Sequence, residues 1–325
     1  MRVQYGVGIC LAVLVLRPGV DWERAQTAHR AQTTVRAADD GVVYRSVGGQ
    51  TLALDVYTPP SKRPRRPAVI IVHGGDWAGG DKRDVVAQGI QSAAEGWVAF
   101  AVNYRLAPAF PFPAALDDVT AAVAWVRANA ARYGVDPSRV AAVGISAGGN
   151  LVGDLATQHG PMTSGTRIMA AVSWSGPMNL VPDPETGQGL FGDIGVPQFL
   201  GCEPAACPDL AAAASPYRRV ASDTTPMLLT NATKELVPVQ QAETMAARLA
   251  AFHVPHDLHI YSGPGHAEPD KAWPVTVSWL HSRFHDEHKT PWLEPLVIAA
   301  GLALVVLSVA GWSRTRTRRS AGTDA

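Results

Sequence analysis

The stretch Gly-Ile-Ser-Ala-Gly-Gly at residues 144–149 contains the pattern Gly-x-Ser-x-Gly, between an apolar strand-like segment and a helix-like segment of small residues. Glycine adopts backbone angles that other residues avoid, so this spacing predicts a sharp turn from strand to helix. Such a turn would project the hydroxyl of Ser146 into a cleft. A serine placed in this way is typical of nucleophilic catalysis, in which the hydroxyl attacks an electrophilic carbon.

A serine hydroxyl becomes a good nucleophile only when a neighbouring base accepts its proton, and histidine is the usual base. The chain contains ten histidines. We predict that His266 is the base, because it lies between a predicted strand and a predicted helix, on a loop at the carboxyl edge of the sheet. The other late histidines flank or alternate along a strand, or lie on or beyond the last helix: His253, His256, His259, His281, His285 and His288.

The run His-Gly-Gly-Asp-Trp at residues 73–77 directly follows an apolar strand-like segment. A carbonyl under attack develops negative charge on its oxygen, and preorganised backbone N–H groups can bind that charge. Glycines let the backbone approach a substrate closely. We therefore predict an oxyanion hole formed by Gly74, Gly75 and Asp76, together with the N–H of Ala147, the residue after the serine.

Apolar strand-like segments alternate with helix-like segments through the middle of the chain. This alternation predicts an α/β fold with a mostly parallel, twisted sheet and helices on both faces. Helices are predicted over residues 85–95, 114–133, 147–159, 238–252 and 269–284. Residues 177–223 break the alternation and are rich in Gly, Pro and Ala. An insertion there would lie over the carboxyl ends of the strands, so we predict a small cap that shapes the substrate pocket.

The composition limits the classes of partner. The chain has 325 residues with 28 Lys+Arg and 28 Asp+Glu, and nearly half of its residues are hydrophobic. A balanced charge without basic clusters among aromatics argues against a nucleic-acid surface, so no nucleic-acid partner is predicted. The catalytic domain is predicted to span residues 41–288, after a linker over residues 20–40.

Both ends of the chain contain apolar segments outside that domain. Residues 1–19 have the pattern of a secretory signal peptide, with an ordinary buried segment as the alternative. Residues 295–312 contain no charged side chain and precede four arginines in a basic tail over residues 313–325. This pattern predicts a transmembrane helix over residues 293–312 and a cytoplasmic tail, with a buried core helix as the alternative. The protein is thus predicted to lie in the cell membrane, with the membrane as a partner and the catalytic domain outside the cytoplasm.

Two of the three cysteines, Cys202 and Cys207, lie close together in the predicted cap. Outside the cytoplasm two nearby cysteines predict a local disulfide, and two free thiols are the alternative. No metal site is predicted, because two cysteines without a nearby histidine are too few ligands.

Four motifs resemble, in order, those of a known family. They are the run at residues 73–77, Asn-Tyr-Arg-Leu-Ala-Pro at 103–108, Phe-Pro-Ala-Ala-Leu-Asp-Asp at 112–118 and Gly-Ile-Ser-Ala-Gly-Gly-Asn-Leu at 144–151. Together they resemble the α/β-hydrolase esterases of the hormone-sensitive-lipase-like and feruloyl/acetyl-xylan-esterase-like groups, over about residues 41–284. The resemblance implies the α/β-hydrolase fold and hydrolysis of a small-molecule carboxylic ester without a metal or organic cofactor. The chain order, with the histidine last, agrees with that fold.

The sequence departs from this family at two positions. Asp76 occupies the position of the third glycine in the family's His-Gly-Gly-Gly turn, which is tolerable if its backbone angles allow a side chain. The family's catalytic acid is an aspartate shortly before a Val-Pro pair, and Lys234 occupies that position here. We predict that the neighbouring Glu235 is the acid, because its extra methylene can reach the histidine from a shifted backbone.

Alternatives to this acid stay open in the sequence. Glu235 would also suit a capping or surface role near the helix that starts at Pro238, since acids are favourable at helix N-termini. Asp223 and Asp257 are the other candidate acids.

The sequence therefore predicts a serine carboxylesterase that forms an acyl-enzyme and uses Ser146, His266 and Glu235. The form His-Gly-Gly-x-Trp also resembles arylformamidases, which cleave an amide-like formyl bond with the same machinery. A non-catalytic binding protein with the same fold is a third hypothesis, and Lys234 is the feature that favours it.

Overall fold

The computed structural model of the chain describes residues 37–61, 63–160, 165–183 and 195–286. The chain divides into two units, with the boundary between Ala267 and Glu268. The first unit contains an eight-stranded sheet. The second contains, among its described residues, one helix over Pro269–Asp286.

The sheet of the first unit is mostly parallel. Its strands are β1 (Ala37–Val47), β2 (Gln50–Tyr57), β3 (Arg66–Val72), β4 (Val98–Val102), β5 (Val135–Ile145), β6 (Ala170–Trp174), β7 (Met227–Lys234) and β8 (His256–Pro264). They lie in the order β1-β2-β4-β3-β5-β6-β7-β8. β1 pairs antiparallel with β2, and β2 with β4, whereas every pair from β4 to β8 is parallel. The prediction of a mostly parallel sheet is confirmed.

Helices cover both faces of this sheet. Every residue of β4 and of β6 is buried, and a strand buried along its whole length must be covered on both sides. The helices of the first unit are α1 (Val86–Ala94), α2 (Ala114–Ala128), α3 (Ala130–Tyr133), α4 (Ala147–Ala156), α5 (Val196–Leu200), α6 (Pro208–Ala213) and α7 (Val239–Ala251). The helix of the second unit is α8.

Several boundaries differ from those that the sequence predicts, and α4 ends at Ala156 where the prediction extends to residue 159. The helix predicted over residues 114–133 is interrupted at Asn129, whose side-chain amide donates to the Trp125 carbonyl at 2.9 Å. β5 begins at Val135 and runs through Pro137, where its register against β3 shifts. Proline has no N–H for a strand ladder, and the carboxylate of Asp136 replaces ladder bonds there by accepting from the Ser138 N–H at 3.1 Å.

Residues 177–223 contain α5, α6 and a 3₁₀ turn over Pro216–Arg219, while residues 184–194 lie outside the described residues. A disulfide joins Cys202 to Cys207, with a Cα–Cα distance of 6.4 Å. Phe199 of α5 stacks on Trp77 with the ring centroids 4.3 Å apart. This segment therefore packs directly on the residues that follow β3.

The prediction of a C-terminal transmembrane helix is wrong. Within the four described ranges, no helix combines the length and the apolar character that a membrane crossing requires. The longest of them, α8, has 18 residues and contains Pro274 together with charged side chains. The predictions of a membrane partner and of a single-pass membrane protein with an extracytoplasmic domain depended on this helix, and they are wrong for the same reason. The segments predicted over residues 1–19, 293–312 and 313–325 lie outside the described residues.

An ion pair with a buried carboxylate joins α4 to the turn over Pro216–Arg219. The carboxylate of Asp154 is fully buried and accepts a short hydrogen bond from the guanidinium of Arg219. Arg219 also donates to the Thr157 hydroxyl at 3.1 Å. Burial raises the pKa of Asp154 from 3.8 to about 7, although the charge of Arg219 acts in the opposite direction.

We expect Arg219→Met to lower the free energy of unfolding by about 3 kcal/mol at alkaline pH, above the folded-state pKa of Asp154, because the buried carboxylate loses its partner. The loss should shrink as the pH falls to about 7 and change little below that value. Without the cation the pKa of Asp154 is higher still, so below about 7 the carboxyl group is protonated in both folded proteins and no longer needs a partner. Urea unfolding of both proteins at a series of pH values measures the difference.

Arg132→Met is the matched control, because Arg132 pairs with Asp39 at 3.0 Å on the exposed surface. Removing an exposed ion pair should cost at most about 1 kcal/mol. A loss in Arg219→Met that is no larger than in this control, or that grows as the pH falls, would contradict the interpretation.

Candidate active site

Ser146 lies in the turn between β5 and α4, with backbone angles φ 55° and ψ −119°. A non-glycine residue with a positive φ is strained, and here the surrounding structure holds it in place. The N–H of Ser146 donates to the carbonyl of Trp174 on β6 at 2.8 Å, and its carbonyl accepts from the Asn150 N–H at 3.1 Å. This is the geometry that the sequence predicts for a nucleophile on a strand-to-helix turn.

The glycines beside Ser146 are required by close packing. A Cβ on Gly144 would lie 2.1 Å from the Gly148 carbonyl oxygen, and a Cβ on Gly148 would lie 2.3 Å from the Val72 carbonyl oxygen. Neither distance is possible for a real side chain. The turn therefore packs against the end of β3, where the predicted oxyanion hole begins.

The turn after β3 lies next to Ser146. A Cβ on Gly74 would be 3.2 Å from the Cβ of Ser146. Gly75, Asp76 and Trp77 all have positive φ angles, of 111°, 51° and 57°. Among the residues that the structure describes, no partner accepts from the N–H groups of Gly75, Asp76 and Ala147. These groups are thus available to bind an anionic oxygen near the serine.

Asp76 adopts a left-handed conformation that aspartate tolerates better than most residues. Its backbone and Cβ are in contact with the start of α5, because a Cβ on Gly195 would lie 2.6 Å from the Cβ of Asp76. The next residue, Trp77, is buried, and its indole N–H donates to the Asn150 side chain at 3.2 Å. The turn is therefore held both by α4 and by the segment over residues 177–223.

The buried side chain of His73 stabilises the same turn. Its imidazole is buried and stacks on Tyr104 with the ring centroids 4.4 Å apart. Burial lowers the pKa of His73 from its ordinary value of 6.5, because water no longer stabilises the charged ring. The neutral ring lies with Nδ1 2.7 Å from the Gly74 carbonyl oxygen. His73 is therefore a support for the turn.

His266 and Glu235 form a hydrogen-bonded pair. The imidazole Nδ1 of His266 donates to the Oε2 of Glu235 at 2.7 Å. The side chain of Glu235 is fully buried, whereas that of His266 is 33% exposed. Since the strands from β5 to β8 are parallel, the loop with His266 lies at the same edge of the sheet as Ser146.

The other candidate acids and bases lie elsewhere. Lys234 is exposed, and its carbonyl accepts from the Gly265 N–H at 3.2 Å. Asp223 precedes β7, at the opposite edge, where it pairs with His159 at 2.8 Å. Asp257 lies at the start of β8 and is exposed.

The six other late histidines were not predicted to be the base. His253 precedes β8 and His256 and His259 lie on it, His281 and His285 lie on α8 of the second unit, and His288 lies outside the described residues. None of the described ones is in a group of three or more residues that could hold a metal ion, and the same is true throughout the described ranges.

Sequence reasoning missed Ser175, which directly follows β6. Its hydroxyl donates to the Oε1 of Glu235 at 2.9 Å and accepts from the Ala267 N–H at 3.0 Å. The one available signal was a hydroxyl residue directly after the strand that lies beside the nucleophile strand. Many serines occupy such positions, so this signal alone could not single it out.

A family profile described as BD-FAE matches residues 54–249 of the chain. The chain belongs to the BD-FAE family. This family comprises α/β-hydrolase esterases related to hormone-sensitive lipase, as the four sequence motifs indicated. The matched residues include Ser146, Glu235 and the turn after β3, while His266 lies beyond them.

Curated relatives with similar sequences are esterases. The carboxylesterase NlhH of Mycobacterium tuberculosis is 48% identical over 98 residues, which are 30% of this chain and 30% of that protein. The esterase LipQ of the same organism is 31% identical over 213 residues, which are 62% of this chain and 50% of that protein. The matched region thus spans no more than half the length of these two relatives.

Solved structures show the same fold. An esterase from Thermogutta terrifontis, Est2, superposes with a TM-score of 0.62 at 25% identity, covering 78% of this chain and 92% of that one. A truncated carbohydrate esterase from gut microbiota superposes with a TM-score of 0.67 at 21% identity, over 77% of this chain and 97% of that one. The α/β-hydrolase fold predicted from the sequence is confirmed.

Proposed function

We propose that this protein is a serine carboxylesterase in which Ser146, His266 and Glu235 act as nucleophile, base and acid. The observation that supports this most directly is the hydrogen bond of 2.7 Å between His266 and the fully buried Glu235. A buried carboxylate that fixes a partly exposed imidazole, at the sheet edge where a serine occupies a strained turn, is the arrangement that serine hydrolases use.

In the proposed reaction the Oγ of Ser146 attacks the acyl carbon of the ester, and the Nε2 of His266 accepts the serine proton. The tetrahedral intermediate collapses as the imidazolium returns this proton to the leaving alcohol, which leaves an acyl group on Ser146. Water then attacks the acyl-enzyme with His266 again as the base. The products are a carboxylic acid and the free serine.

The negative charge of each tetrahedral intermediate is assigned to the N–H groups of Gly75, Asp76 and Ala147. Ala147 directly follows Ser146, and Gly75 and Asp76 follow Gly74, where a Cβ would lie 3.2 Å from the Cβ of Ser146. None of these three N–H groups has a partner among the residues described, so no existing hydrogen bond must break before they accept an oxyanion. Donors that are fixed before the reaction stabilise developing charge more strongly than water does. Gly74 provides the close approach of the turn to the serine.

Glu235 is assigned two effects on His266. Its Oε2 accepts the Nδ1–H, which leaves Nε2 free of a proton and able to accept one from the serine. Its negative charge also stabilises the imidazolium that forms during each step. Neither step uses a metal or an organic cofactor, and the proposed substrate is a small-molecule ester.

A second candidate function is hydrolysis of an aryl formamide. The observation in its favour is the run His-Gly-Gly-Asp-Trp, with Trp77 buried under the segment over residues 177–223. A formamide places a single hydrogen on the acyl carbon, so the same serine could attack it.

Turnover of matched substrates by the full chain separates the two functions. We expect hydrolysis of p-nitrophenyl acetate and butyrate to exceed that of an aryl formamide in kcat/KM by at least about tenfold, because an ester has the better leaving group. The reverse order would favour the amide function. Absence of turnover, together with no mass increase of the peptide containing Ser146 after treatment with an organophosphonate, would overturn both.

A further inference from the structure

The hydroxyl of Ser175 connects the acid to the loop that contains the base. It donates to the Oε1 of Glu235 at 2.9 Å and accepts from the N–H of Ala267 at 3.0 Å. Ala267 is the residue after His266. Ser175 is itself buried, so no bulk water competes for either bond. A single hydroxyl therefore contacts both the acid and the backbone of the residue directly after the base.

The backbone of Ser175 is fixed between the nucleophile strand and the acid strand. Its N–H donates to the Thr230 carbonyl on β7 at 2.8 Å. The carbonyl of the preceding residue, Trp174, accepts from the Ser146 N–H at 2.8 Å. Backbone hydrogen bonds at residues 174 and 175 thus connect this position to the nucleophile Ser146 and to β7, the strand that carries Glu235 in the following loop.

The carboxylate of Glu235 needs such a contact to hold one orientation. A glutamate side chain has three rotatable bonds and a carboxylate that turns about the last of them, so one hydrogen bond to His266 would leave it several arrangements. Oε1 accepts from the Ser175 hydroxyl and, in a short contact, from the Ala232 N–H. With Oε1 held by these two donors, Oε2 is directed to the histidine.

The backbone conformation does not by itself call for a serine at this position. Ser175 has a φ of 51°, and Ala267 has a φ of 50°, both in the region that glycine adopts most easily. Glycine would thus fit the backbone at residue 175 at least as well. What serine adds is the hydroxyl, which contacts Glu235 of the pair and the N–H of the residue after His266.

We propose that Ser175 is a positioning residue that orients Glu235, and through it His266, for proton transfer. The proposal rests on the proposed esterase function for its catalytic consequence. It concerns geometry rather than substrate contact, so removing the hydroxyl should lower kcat and leave KM almost unchanged.

The test is Ser175→Gly in the full chain, with p-nitrophenyl acetate as the substrate. Glycine removes the hydroxyl without straining the backbone, so the thermal unfolding midpoint should stay within a few degrees of the original. We expect kcat to fall by about 10- to 100-fold, the range typical of outer hydrogen-bond partners of a site. Ser222→Gly, at an exposed loop position before β7, is the matched control and should retain full activity.

A double-mutant cycle separates positioning from a general structural effect. If Ser175 acts through Glu235, adding Ser175→Gly to Glu235→Gln should cause almost no further loss of kcat. A purely structural role would give losses that multiply. Multiplying losses, or a Ser175→Gly variant with unchanged kcat, would overturn the proposal.

A spectroscopic measurement keeps this test independent of turnover. The proton between His266 Nδ1 and Glu235 should give a downfield proton resonance that disappears in Glu235→Gln. In Ser175→Gly we expect this resonance to broaden or to move upfield, because the carboxylate is less constrained. If the full chain hydrolyses no ester, the esterase proposal fails, while an altered resonance still supports the positioning role. An unchanged resonance would contradict that role.

Discussion

Ser146→Ala should abolish ester hydrolysis, with kcat on p-nitrophenyl acetate lower by about 10⁴-fold or more. Alanine cannot form the acyl-enzyme, and the remaining rate would come from water attacking an ester bound near the N–H groups of Gly75, Asp76 and Ala147. The fold should persist, since the Ser146 contacts with Trp174 and Asn150 are made by its backbone. Alanine is also as strained as serine at a φ of 55°, so stability should change little.

Measurements of kcat on p-nitrophenyl acetate and of the thermal unfolding midpoint, both made on the full chain, check this expectation. Ser222→Ala removes a hydroxyl from an exposed loop before β7 and should be indistinguishable from the original protein in both assays. Reaction with an organophosphonate provides an independent readout, because Ser146→Ala should lose the label and Ser222→Ala should keep it. Unchanged turnover in Ser146→Ala would assign the nucleophile to another residue.

Glu235→Gln should lower kcat by about 10⁴-fold, because the amide preserves the size of the side chain but not its action on the base. A glutamine can present its NH₂ group to the Nδ1 of His266, which favours the tautomer with the proton on Nε2. That tautomer cannot accept the serine proton. The lost negative charge also leaves the imidazolium without its partner in each transition state.

Glu243→Gln is the matched control, because Glu243 is exposed on α7. We expect it to retain activity, and we expect both variants to unfold cooperatively. Lys234→Ala, which alters the exposed neighbour of the acid, should reduce kcat by less than about threefold. Near-normal turnover in Glu235→Gln would transfer the role of the acid to another carboxylate. A large loss in Lys234→Ala would contradict the geometry of the loop.

Local sequence patterns were enough for several parts of the fold. The short apolar segments that became β4 and β6 are buried on both faces, as uninterrupted apolar strands usually are. The turn at Ser146 was predictable because its glycines are required by contacts between near neighbours in the sequence. A side chain on Gly144 would collide with the backbone of Gly148. Hydropathy was a poor guide outside the sheet, where it predicted a membrane helix and the helices within the described ranges are too short or too polar.

The choice among acids shows what local patterns cannot provide. Counting back from the Val-Pro pair pointed to Lys234, and the resemblance alone could not separate Glu235 from Asp223 and Asp257. The hydrogen bond that distinguishes them joins residues 31 positions apart, and the contact of Ser175 with Glu235 joins residues 60 apart. Contacts of this kind depend on the order of β6, β7 and β8 in the sheet.

The sequence by itself determined the α/β fold, the strained turn at Ser146 and the loop that contains His266, because each follows from propensities and steric needs over a few neighbouring residues. Only the tertiary structure decided that Glu235 contacts His266, that Ser175 contacts Glu235 and the residue after His266, and that Arg219 lies against the buried Asp154. The physical reason is that a hydrogen bond requires atoms within about 3 Å of each other. Separation along the chain does not indicate which side chains the parallel strands bring to the same edge.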